Sequence, residues 1–92
     1  MKSKKVTSSE TLMDTAGFFS GVIINTDGNN DGVVVVYDGN PGTVKFEFTC
    51  IGADKSYGAI FAEAIDIDDL LRVEISGTGA TCIMLFKRNR DK

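Results

Sequence analysis

The chain is 92 residues long, which is room for one domain, and its 42% hydrophobic and 25% charged residues are the proportions of a globular protein rather than a disordered one. A formal net charge of −3 excludes a general nucleic-acid binder, which needs a basic face to neutralise phosphates. The absence of histidine removes imidazole-based acid–base and nucleophile chemistry and nearly all zinc sites.

In chain order, residues 1–15 are polar and carry no clear period, and are read as an N-terminal arm or an edge strand running from about Thr7 to Leu12. Thr7 and Glu10 have capping-box spacing, but no amphipathic helix follows them. Phe18 to Ile24 is rich in β-branched and aromatic residues and reads as strand. Asn25 to Gly32 is a dense run of turn formers. Val33 to Tyr37, four valines and a tyrosine, fits strand and little else. Asp38-Gly39-Asn40-Pro41-Gly42 is the next turn.

Val44 to Ile51 alternates cleanly, with Val44, Phe46, Phe48 and Cys50 on one side and Lys45, Glu47 and Thr49 on the other. Ala59 to Ile67 contains an Ala-Glu-Ala stretch that would suit a helix, and is read as strand to about Ala64. Leu71 to Ser76 alternates again, Gly77-Thr78-Gly79 turns the chain, and Ala80 to Phe86 is the last strand. The expected fold is therefore all-β: a small antiparallel β-sandwich, jelly-roll-like, of six to eight strands. It occupies residues 16–87 as a single domain, followed by a basic tail over 88–92.

Charge is sorted along the chain. Lys2, Lys4 and Lys5 stand at one end and Lys87, Arg88, Arg90 and Lys92 at the other, with only Lys45, Lys55 and Arg72 between them. The ends are either solvated tails or docking elements for an acidic partner. No apolar run follows the basic start and none approaches membrane-spanning length, so neither a leader nor a membrane segment is expected. Cys50 and Cys82 fall within strands and are expected as reduced core thiols.

Several strands are apolar on both sides, which a two-layer sandwich with one wet face per sheet does not require. Phe18, Val22 and Ile24 alternate against Phe19 and Ile23 in a regular strand. Val33 to Val36 is apolar throughout, and Cys82, Met84 and Phe86 oppose Ile83 and Leu85. Either sheet twist and edge crossing bury both sides internally, or protein from outside the chain covers the second side. The second alternative marks Phe19, Ile23, Val34, Val36, Ile83 and Leu85 as interface candidates.

Motifs for chemistry are sparse. Asp27-Gly28-Asn29-Asn30-Asp31-Gly32 matches the first half of a calcium loop, with Asp27, Asn29 and Asp31 as the oxygen donors. The twelfth position is Asp38 rather than glutamate, and a strand follows instead of a helix, so a hairpin connection accounts for the same letters. Asp68 and Asp69 are adjacent and would face opposite ways on a strand, which is poor geometry for a catalytic pair. No cofactor and no enzymatic activity are expected.

Gly21-Val22-Ile23-Ile24-Asn25-Thr26-Asp27-Gly28-Asn29-Asn30-Asp31-Gly32, running on through Val33 to Asp38, resembles a recurring segment of small virion structural proteins of tailed bacteriophages. Leu70-Leu71-Arg72-Val73-Glu74-Ile75-Ser76-Gly77-Thr78-Gly79-Ala80-Thr81 is similar to a later segment of the same proteins, and the likeness runs in one order over most of residues 6–86. The resemblance implies a β-sandwich or jelly-roll module that decorates or cements a phage head, or sits in a tail or fibre, as a homo-oligomer and without catalytic residues. The expected partners are then other copies of the chain, as a trimer, and the major capsid or another virion protein, with no nucleic acid or membrane. The expected location is the virion, after synthesis in the bacterial cytoplasm. The alternative is a small β-sandwich ligand-binding module for carbohydrate or calcium.

Overall fold

A computed structural model describes residues 2–39, 42–52 and 55–88. It contains β1 (Lys2–Val6), β2 (Glu10–Met13), β3 (Gly17–Asn25), β4 (Gly32–Gly39), β5 (Gly42–Cys50), β6 (Ser56–Ile67), β7 (Leu71–Ser76) and β8 (Thr81–Arg88), with no α-helix among the described residues. The strands form two four-stranded antiparallel sheets. The first has the order β1-β8-β3-β6 and the second β2-β7-β4-β5.

Pairing β1 with β8, β2 with β7, β3 with β6 and β4 with β5 is what results when one long hairpin, turning between β4 and β5, is rolled over itself. This is the strand order of a jelly roll. Most connections cross from one sheet to the other, so the loops gather at the two ends of the sandwich.

The core is the inner face of both sheets. Phe19, Val22, Ile24, Cys82, Met84 and Phe86 of the first sheet meet Met13, Val34, Val36, Cys50, Leu71 and Val73 of the second. Each such aliphatic or aromatic side chain contributes about 1.5–3 kcal/mol by leaving water. Cys50 and Cys82 are both buried thiols, as expected of the core. Burial pushes the Cys82 thiol up to about 11, and the nearby negative charge of Glu10 adds to the effect.

Residues 2–13 form two strands rather than an arm or a single edge strand. β1 lies on the edge of the first sheet and β2 on the edge of the second, where lysines and polar residues stay in water while Val6 and Met13 alone are buried. That pattern has one apolar anchor per strand and no visible period. Lys4 Nζ bonds Glu10 Oε2 at 2.6 Å and links the two edges. Beyond Arg88 the basic tail, with Arg90 and Lys92, lies outside the described residues, as do Asn40 and Pro41 of the β4–β5 turn.

The Ala-Glu-Ala stretch is strand, but not a regular one. β6 pairs Ile65 with Phe19 and Ile60 with Gly21, so Ser20 alone faces residues 61–64. The resulting bulge interrupts the edge of the first sheet, a feature that blunts strand-to-strand aggregation.

Candidate functional site

The bulge at Ser20 decides which side chains face out. A regular strand would set Phe19 and Ile23 on the same side, but the extra residue reverses the phase, so Phe19 points inward with Val22 and Ile24. Phe19 is buried completely and packs edge-on against Phe61 at 5.3 Å. It is core, not interface.

Val34 and Val36 are also removed from the interface set. Both are fully buried, opposite Ile75 and Val73 of β7, while Val33, Val35 and Tyr37 take the outer side. A run of four valines cannot say which alternate pair faces the core, because either choice buries two.

Ile23, Ile83 and Leu85 do lie on the outer face of the first sheet, and the strand register assembles them in rows. Lys5, Ile83, Ile23 and Gly58 run across β1, β8, β3 and β6, and beside them run Ser3, Leu85, Gly21 and Ile60. A further row places Lys87, Phe18 and Asp66 side by side on β8, β3 and β6. Ile60 is 66% exposed and extends over Gly21, its Cδ1 2.9 Å from where a β-carbon on that glycine would sit. Ile23 leans over Gly58 in the same manner, at 3.3 Å. Gly21 and Gly58 have no side chains of their own and are crossed by Ile60 and Ile23, so Ile23, Ile60, Ile83 and Leu85 form an apolar patch over two adjacent rows, bordered by Lys5 on one edge and Asp66 on the other.

The outer face of the second sheet has a different chemistry. Val35 sits between Glu74 and Glu47, and Val33 between Ser76 and Thr49. The Arg72 guanidinium lies 4.2 Å over the Tyr37 ring and pairs with Glu74, and the Tyr37 hydroxyl bonds the same carboxylate at 3.5 Å. The outer face of the second sheet thus sets its valines between charged and polar side chains, and that of the first sheet sets isoleucine and leucine side by side.

The acidic loops are occupied by turn chemistry. Asp27 Oδ1 accepts the N–H groups of Asn29 and Asn30 at 2.8 Å, and its Oδ2 accepts from the Asn30 amide at 2.8 Å. Those bonds hold the Asp27 carboxyl below its usual range. Asp31 Oδ1 accepts the Gly52 N–H at 2.8 Å and ties the β3–β4 loop to the β5–β6 loop, where Thr26 Oγ1 also donates to the Gly52 carbonyl at 2.9 Å. Asp27, Asn29 and Asp31 therefore share one turn, but the two carboxylates point their oxygens at N–H groups. Among the described residues no three acidic or cysteine side chains converge as a metal site, and no pocket opens.

At the opposite end of the sandwich Asp38 does similar work. Its carboxylate accepts the N–H groups of Asp68 and Asp69, each at 2.9 Å. Burial raises its pKa, but the hydrogen bonds from Asp68, Asp69 and Leu70 and the charge of Lys45 outweigh that, and the net shift is downward. Asp68 and Asp69 serve here as donors of backbone N–H groups rather than as a carboxylate pair.

Sequence reasoning missed Ile60, which belongs to the apolar surface, because it lies where strand and helix readings competed. The usable signal was Gly58-Ala59-Ile60, a small-small-large pattern beside a strand already known to be apolar on its outer side.

Comparison with protein-family models, curated proteins and solved structures finds no match to this chain.

Proposed function

We propose that this protein is a non-enzymatic structural component of a phage or prophage virion, a capsid decoration or cement protein that acts by adhesion between subunits. The observation that carries the reading is the apolar outer face of the first sheet, set against the polar outer face of the second. A chain of 92 residues has no α-helix among its described residues to lay over that surface. Exposed apolar surfaces of this kind, rimmed by charge, mark sites where protein meets protein.

Two further points support the reading. The resemblance in the segments Gly21 to Asp38 and Leu70 to Thr81 is to small virion proteins. Jelly rolls build viral capsid domains, although they also build lectins and cupins, so the fold alone carries no function. Against catalysis stand a sequence without histidine and the use of Asp27, Asp31 and Asp38 as turn and loop ties.

The test is co-sedimentation of the purified chain with capsids assembled from the major capsid protein of the phage or prophage that encodes it. Saturable pelleting is the expected result. A chain that stays in the supernatant at saturating capsid contradicts the proposal.

A further inference from the structure

We propose that the apolar outer face of the first sheet docks on the same face of a second copy, about a twofold axis that runs parallel to the strands between β3 and β8. This rests on the adhesive reading above and names its partner. Such an axis exchanges β8 with β3 and β1 with β6 across the interface, so the rows fixed by the register determine what meets what.

The surface is complementary to itself under that operation. Ile83 of one copy comes to lie over Ile23 of the other, and Leu85 over the site where Ile60 covers Gly21. Lys5, at the β1 edge, falls over Gly58, across which Ile23 leans. Lys87 falls over Phe18, whose neighbour in the row is Asp66. A row that is basic at one end and acidic at the other thus meets its own reverse, and the partner's cation stands over an aromatic ring beside a carboxylate. A stack of the first sheet on the second would instead set Leu85 and Ile23 against the Glu47–Val35–Glu74 row, leaving buried carboxylates to be desolvated.

The area is adequate. Four strands about 4.8 Å apart, each offering an outward residue every ~7 Å, give a face of about 500 Å² per copy, or ~1,000 Å² in all. That is the lower bound for a specific interface, so the dimer is expected to dissociate on dilution through the micromolar range.

Two measurements test this on the full chain. Light scattering across a concentration series is expected to show a dimer for the wild type and a monomer for Ile23→Asp, with the dissociation constant raised at least about 100-fold by two carboxylates at the centre of the patch. Val35→Asp, on the outer face of the second sheet, is expected to leave the dimer intact. Mild oxidation of Ile23→Cys mixed with Ile83→Cys is expected to give an intersubunit disulfide that neither variant forms alone, and circular dichroism checks that all variants fold. A monomeric or trimeric wild type overturns the twofold, as does a dimer that survives Ile23→Asp or a mixture that fails to cross-link. Capsid binding by a monomeric wild type would separate the two claims, removing the self-docking and keeping the adhesive function.

Discussion

The carbonyl oxygen of Asp31 lies 2.1 Å from the point where a β-carbon on Gly77 would sit, and Gly77 itself has φ +108°. The β7–β8 turn is therefore pressed against the β3–β4 loop at a position where only a hydrogen fits, in a conformation that L side chains avoid. Gly77→Ala is expected to lower stability by about 2–4 kcal/mol, a sum of backbone strain and displaced loop, read as a fall in the urea midpoint. An unchanged midpoint would mean that the two loops do not touch.

Asp38 gives the fold a defined acid sensitivity. Its carboxyl has a folded-state pKa below the ordinary 3.8, so the stabilisation it provides is complete above that value and disappears as the pH falls through the lower, folded-state value. Asp38→Asn keeps the shape but removes the charge that holds the Asp68 and Asp69 N–H groups. The variant is expected to melt several degrees lower than the wild type near neutral pH, as a loss of about 1 kcal/mol would produce, and the gap should close in strong acid. A gap independent of pH would place the effect elsewhere.

Much of the fold is legible in the letters. Phe46 to Cys50 and Leu71 to Ser76 alternate because one side faces the core and the other water, and β5 and β7 lie within two residues of the expected bounds, but the register shift at Val36–Tyr37 sets Val44, 49% exposed, opposite Tyr37 and off the side it was expected to share with Phe46. The run Ala80 to Phe86 behaves the same way within β8. What could not be read is what depends on distant chain. Ser20 stands unpaired between the partners Phe86 and Leu85 of β8 and opposite residues 61–64 of β6, and the phase reversal there puts Phe19 in the core rather than on the outer face. The pairing of β1 with β8, with one buried valine among lysines, is a tertiary fact with no local period behind it. Of the apolar surface, Ile23, Ile83 and Leu85 were visible as the second side of two-sided strands, and Ile60 was hidden by a stretch whose composition also suits a helix.

The division between core and surface can be measured directly. Phe19→Ala removes a ring enclosed by Phe46 and Phe61 and should cost about 3–5 kcal/mol. Ile83→Thr, on the outer face, should change monomer stability by less than ~1 kcal/mol. Chemical denaturation of both variants at low protein concentration reads the difference, and equal losses would contradict the assignment of Phe19 to the core.

The thiols provide a second probe of the closed core. Cys50 and Cys82 are buried, and the Cys82 thiol stays protonated to about pH 11. Neither should react with a thiol reagent in the native state at pH 8, and both should react at once in denaturant. Fast native-state labelling of Cys82 would show that β8 is not packed as described.

Calcium should leave the melting temperature unchanged, because the Asp27 oxygens are already engaged by Asn29 and Asn30 and Asp31 by Gly52. Asp27→Ala should lower it, since two N–H groups of the turn lose their acceptor. A calcium-dependent rise abolished by Asp27→Ala would restore the loop as a cation site.

Coverage of the outer face of the first sheet by another copy of the chain is open to direct measurement. Methyl NMR spectra recorded over a dilution series test this residue by residue. The methyl signals of Ile23, Ile60, Ile83 and Leu85 should move together with concentration while those of Val33, Val35 and Val44 stay fixed. Spectra that do not change with concentration, or that change at the valines instead, would contradict it.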